Sequence, residues 1–167
     1  SWRRPRACAT LARVRHPAAG RLNSGVRCRT GVLRKVKEPS QSDQVLAVKD
    51  EESERPIPTA WRQQICEIVD AFVVGDFRLD AGISGVPAVS ADRASQIQDY
   101  VESYGATLVA LPEQTWDSSV CIWYGDHWAA LVDLWTEQEG RSDLVLHTRV
   151  RELDSGFCIE VDLVYVP

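Results

Sequence analysis

The residues of this chain that could do chemistry are few: three histidines, five cysteines, and a set of carboxylates and arginines in the C-terminal third. Their spacing matches no standard site. The chain contains no HExxH, no Cys/His zinc spacing, no P-loop and no GxSxG, so neither a metal site nor a cofactor is expected. The same absence leans away from an enzyme and leaves that question open. Cys8, Cys28, Cys66, Cys121 and Cys158 form no CxxC pair and leave one over, which argues against a disulfide framework. Cys66 falls in a helical pattern and Cys121 and Cys158 in strand patterns, so they read as small apolar residues in a reducing compartment.

One group of polar residues converges if strand register follows the apolar pattern. Pairing residues 128–136 with 143–151 around a turn at 137–142 sets Asp133 opposite His147. A second hairpin, turning at Asp154-Ser155-Gly156, then sets Asp162 on the other side of His147 and Glu160 beside Arg149. With Trp135 as an aromatic wall and Val120, Ile122 and Leu131 on the same face, this mixture suits a small-molecule pocket. The alternative is an outward charge ladder. Both readings place carboxylates on each side of the imidazole and predict a His147 pKa above the ordinary value of about 6.5. Glu139, Arg141 and Asp143 form a candidate binding loop, in which a guanidinium fork sits among acids; a turn with a surface ion pair is the competing reading. Trp116, Trp123, Trp128 and Trp135 either fill the core or make a recognition surface. His127 is expected to be a solvated hairpin residue.

The elements that must position these residues follow from periodicity. Trp61, Ile65, Ile68, Val69, Phe72 and Val73 make a helical stripe after Pro58-Thr59, ended by Gly75. Ser90 caps a second helix with Ala94, Ile97, Val101 and Tyr104 on one side, ended by Gly105. Beyond Gly105 the period becomes two. Residues 107–111, 119–124, 128–136 and 143–151 read as strands, with Gly125-Asp126 as a two-residue hairpin turn. In the last strand Phe157, Ile159, Val161, Leu163 and Tyr165 are expected to face inward, with Cys158, Glu160 and Asp162 opposite. The predicted class is α+β: two N-terminal helices packed on one face of a curved antiparallel sheet of four to six strands.

The segments YGATLVALPEQTW, WAALVDLWTEQEGRSDLVL and VDLVYVP, within a stretch running from Trp61 to Pro167, resemble a family of small bacterial proteins of unknown function. That resemblance implies no activity. AFVVGDF after a helix, with a terminal run of long strands, is similar in topology to the nuclear-transport-factor-like cone, whose sheet encloses a pocket; such folds serve enzymes, binders and scaffolds alike.

Charge divides the chain. Residues 1–37 carry 11 Lys and Arg and no acid, whereas the remainder carries 8 bases and 24 acids, a net −16. A segment so rich in arginine and so poor in large apolar residues cannot offset its ordering entropy, so residues 1–55 are expected to be a disordered basic leader followed by an acidic linker. The leader reads as a transit peptide, a basic arm for nucleic acid or membrane, or an upstream extension without function. Removal of everything before Glu54 is expected to leave the thermal midpoint unchanged. Residues 56–167 are expected to form one domain, whose acidity excludes nucleic acid as its partner. No run reaches the ~20 apolar residues of a membrane helix, and a soluble, cytoplasmic protein is expected. The leading functional expectation is a protein-interaction module of the immunity or antitoxin kind that covers a basic protein partner. The alternative is a ligand-binding or enzymatic cone with a pocket around Asp133, His147 and Trp135.

Overall fold

The computed structural model describes residues 44–167. The expected leader and the first part of the expected linker, residues 1–43, lie outside them. Along the described chain come β1 (Arg55–Pro56), α1 (Thr59–Val73), α2 (Ala91–Tyr104), β2 (Leu108–Val109), a 3-10 turn (Glu113–Asp117), β3 (Val120–Trp123), β4 (Trp128–Thr136), β5 (Gly140–Leu153) and β6 (Gly156–Tyr165). The class is α+β, as the periodicity predicts. All strand pairs are antiparallel, in the order β1-β3-β4-β5-β6, with β2 paired to the far end of β4.

Both helices form where the apolar stripe requires burial. Trp61, Ile65, Ile68, Val69 and Phe72 of α1 are buried, while Val73 at its end is exposed. In α2 the hydroxyl of Ser90 accepts the Arg93 N–H at 3.4 Å, and the chain leaves the helix through a left-handed Gly105. Between the helices the Asp76 carboxylate accepts the N–H groups of Asp80 and Ala81. This holds the turn that buries Leu79.

The core lies between the helices and one sheet face. That face presents Trp128, Ala130, Val132 and Leu134 from β4, Leu144, Leu146 and Val150 from β5, and Ile159, Val161 and Val164 from β6, all buried. Trp61 packs on Trp128 at 5.4 Å between ring centroids and on Phe157 at 5.6 Å, so the indoles that could have marked a recognition surface are largely interior. Trp116 is buried as well, with the Arg62 guanidinium over its ring.

Residues 45–57 belong to this body rather than to a free linker. Val45 exchanges two hydrogen bonds with Thr59, the Trp128 indole N–H donates to the Val48 carbonyl at 2.8 Å, and Ala47 packs against the core. Lys49 lies over the rings of Trp123 and Trp128 and pairs with Glu152. Ile57 is fully buried. Most of the polar side chains that suggest a linker face water, while the backbone of Val45 and Val48 and the side chains of Ala47 and Lys49 supply the contacts.

Two irregularities set the register. The β4–β5 turn is tighter than the apolar pattern suggests, because left-handed Gly140 (φ +74) closes it after only Glu137–Glu139, with Thr136 opposite Gly140. The ladder then shifts between Asp133 and Trp135, leaving Asp133 opposite Val145 and Leu131 opposite His147. In the β5–β6 ladder, His147 pairs with Leu163 but Thr148 pairs with Val161, so Asp162 is an extra residue in a bulge. Because strand side chains alternate, one extra residue exchanges faces. Val164 therefore turns into the core, and Leu163 and Tyr165, expected inside, turn out.

Candidate functional site

The sheet face opposite the helices is a broad surface built from regular strand backbone. Register fixes its rows: Asp133, Val145 and Tyr165; then Val120, Leu131, His147 and Leu163; then Ile122, Ala129, Arg149 and Glu160. Apart from Ala129 and Val145, which are buried, these side chains are half-buried by one another, without a covering layer. Its centre is apolar. Its charges gather toward the two ends of the strands.

At one end Arg149 and Asp162 meet at 3.3 Å, Arg93 reaches Asp162 from α2 at 2.6 Å, and Arg151 pairs with Glu160 at 2.7 Å. His147 lies between the apolar row and this cluster, its Nδ1 3.6 Å from the Asp162 carboxylate. The predicted neighbours are thus half right. Asp162 is beside His147, but Asp133 is not, because the short Gly140 turn and the ladder shift that follows it leave Asp133 opposite Val145, two residues away. Glu160 stands opposite Arg149 in the ladder, yet its carboxylate pairs with Arg151.

The expected rise in the His147 pKa is corrected as well. Burial pushes the imidazole below its ordinary value, and Arg149 and His127 add to that, against the opposing effect of Asp162. With one carboxylate instead of two, and with Arg149 sharing it, desolvation wins. His147 is a neutral imidazole at neutral pH. It helps line a groove of about 370 Å³ with Ile122, Tyr124, His127, Leu131 and Tyr165. His127, expected to be a solvated turn residue, bonds Asp126 through Nδ1 at 2.6 Å and stacks on Tyr124.

At the other end Asp133 accepts from the Ser118 hydroxyl and faces Arg141 at 3.8 Å across a polar groove of about 550 Å³, which Asp143 also lines. Glu139 does not join it. Its carboxylate accepts the Tyr104 hydroxyl, whose oxygen in turn accepts the Asp143 backbone N–H. The candidate loop is therefore pinned to α2 by its turn, and only Arg141 and Asp143 are presented. Trp135 pairs with Val109 and Arg141, and Gly140 lies against its ring, so it walls off the turn and not His147.

The chain matches a family described as a domain of unknown function (DUF7668) over residues 69–167. It belongs to that family. The matched DUF7668 region contains α2 and β2 to β6, and so every residue of the uncovered face. No curated protein and no solved structure matches the chain.

Among the described residues the remaining reactive groups are subdued. Cys66, Cys121 and Cys158 are unpaired, and burial raises all three thiols, Cys121 to about 11. They are protonated and poor nucleophiles at neutral pH. Among the described residues no group of three or more His, Cys, Asp or Glu side chains is placed to hold a metal ion, and no helix is long and apolar enough to cross a membrane. The residues that sequence reasoning missed are Leu163, Tyr165, Val145 and Tyr124. The run Leu163-Val164-Tyr165 was the available signal: three consecutive apolar residues cannot all face one side of a strand, so at least one must be turned outward.

Proposed function

We propose that this domain is a protein-interaction module whose working surface is the uncovered face of the sheet. The observation that carries the reading is the bulge at Asp162, which turns Leu163 and Tyr165 out beside Leu131 and Val145 instead of into the core. An apolar centre with charged groups at its margins is the anatomy of a contact surface. The geometry favours an apolar, nearly neutral contact over the basic partner that the segment charge suggests, because most of the acids lie elsewhere. A cytoplasmic setting goes with this reading, supported by three unpaired thiols.

Two variants test it. Leu163→Glu charges the uncovered face, and Val73→Glu charges an exposed apolar position on α1. Proteins retained from the native extract by the wild-type domain and by Val73→Glu, but lost with Leu163→Glu, are the expected outcome. Equal retention by both variants, or nothing retained by the wild type, rejects the reading.

A second reading has its own observation. The groove containing His147 combines an apolar floor with a neutral imidazole and the side chains of Tyr124 and Tyr165, which suits a small, uncharged aromatic ligand. A fragment screen followed by His147 and Tyr165 side-chain NMR signals would favour this reading if ligands shift both; if none does, it fails.

A further inference from the structure

We propose that the polar groove beside Asp133 and Arg141 binds a free amino acid with a cationic side chain, such as lysine. The inference stands apart from the interaction reading, since Leu163 does not line this groove.

The backbone is the first argument. Between the pair Asp133 with Val145 and the pair Trp135 with Arg141, β4 has only Leu134, while β5 has Ser142, Asp143 and Leu144. The surplus residues make a bulge, a device that re-aims side chains. Its backbone is pinned: the Ser142 hydroxyl donates to the Leu134 carbonyl at 2.9 Å and accepts the Leu144 N–H at 3.3 Å, and the Tyr104 hydroxyl accepts the Asp143 N–H at 3.2 Å. Asp143 therefore lines the groove from a fixed backbone, and its carboxylate has no ion partner among the described residues. Asp133 is held as firmly. Its N–H donates to the Ser119 hydroxyl, and its carboxylate accepts from Ser118.

Charge is the second argument. Arg141 stands 3.8 Å from the Asp133 carboxylate, beyond hydrogen-bond distance, and its guanidinium makes no hydrogen bond among the described residues. An exposed pair at that separation contributes little to the fold. The groove of about 550 Å³ thus presents two carboxylates and one guanidinium with bonding capacity left over, beside the apolar Val145 and Val166. That volume is ordinary for a small-molecule site. A lone metal cation would meet the Arg141 guanidinium, and an inorganic anion would meet Asp133 and Asp143. A basic amino acid answers all three groups: its carboxylate takes the guanidinium fork, and its ammonium and side-chain cation take the two carboxylates.

Titration of the isotope-labelled full chain with L-lysine, followed by amide and guanidinium NMR signals, tests the inference. Saturable shifts around Ser118, Asp133, Arg141 and Asp143 are expected, with a dissociation constant on the order of 1 mM. L-norleucine lacks the side-chain cation and L-lysinamide lacks the carboxylate, so each should bind about fivefold more weakly, the contribution of one exposed ion pair. Asp143→Asn should weaken L-lysine by about the same factor. Arg141→Gln should make L-lysine and L-lysinamide bind alike; circular dichroism checks that both variants are folded. The absence of any saturable shift up to about 20 mM L-lysine overturns the inference. Equal binding of L-lysine, L-norleucine and L-lysinamide to the wild type overturns it as well, and so does L-glutamate binding as tightly as L-lysine.

Discussion

The two faces of this sheet are made from the same strands and alternate residue by residue, and both carry apolar side chains, yet they meet different surroundings. The helix side carries Trp128, Val132, Leu134, Leu146, Val150 and Ile159 with essentially no exposure and no ionised group. The other side carries Leu131, Leu163, Tyr165 and His147 at intermediate exposure, with seven charged side chains toward its ends. A half-solvated antiparallel sheet ordinarily alternates apolar-in with polar-out. This one breaks the ladder to do the reverse at Leu163 and Tyr165. The difference separates residues that hold the fold from residues that the fold holds out.

The strongest test of that division is a matched pair of truncations. Leu146→Ala, on the covered face, should cost about 2–5 kcal/mol. Leu131→Ala, in the neighbouring strand but pointing the other way, should cost under half as much in dilute protein. Urea denaturation of both variants reads the difference. Equal costs in dilute protein would erase it.

The next effect concerns the segment across the covered side. Deleting residues 44–54 along with everything before them removes the Val45–Thr59 bonds, the Val48 acceptor for Trp128 and the Lys49 contacts. A loss of roughly 2 kcal/mol is expected from those hydrogen bonds and contacts, seen as a thermal midpoint lower by roughly 8 °C. Deleting residues 1–43 alone should leave the midpoint where it is. If the two deletions behave alike, the segment contributes nothing and the linker expectation stands.

Much of this organisation was legible in the sequence. The α1 stripe, the Ser90 cap, the Gly125-Asp126 turn and the inward set Phe157, Ile159 and Val161 follow from local periodicity, which burial enforces on every turn of helix and every second strand residue. The site was less legible because it depends on long-range register. A three-residue turn ended by Gly140 moved Asp133 away from His147, and one extra residue at Asp162 reversed the facing of everything after it. Both are shifts of one or two residues whose energy lies in pairing across strands, and no single window of sequence contains it. Residues 45–53 were less legible for a similar reason: their contacts, through the backbone of Val45 and Val48 and the side chains of Ala47 and Lys49, reach residues far away in sequence, which composition does not describe.

The smallest effect is also the most specific to the uncovered face, because His147 is the titratable group held among its apolar rows. Burial lowers its pKa; Arg149 from its own strand and His127 from the β3–β4 turn lower it further, while Asp162 from β6 raises it. A histidine with a depressed folded pKa stabilises the fold fully above the unfolded value of about 6.5, where neither state is charged. As pH falls below that value the unfolded chain takes up a proton before the folded one does, and the contribution is lost through the folded pKa. Stability should therefore fall from pH 7 toward pH 5 by more in the wild type than in His147→Gln, measured as urea midpoints at constant salt. Asp162→Asn removes the one opposing influence and should move the His147 titration further down, which NMR of the imidazole reads directly. A wild-type His147 titrating above 6.5 would mean that Asp162 outweighs burial, and that this face is more open to water than the row of Leu131, His147 and Leu163 implies.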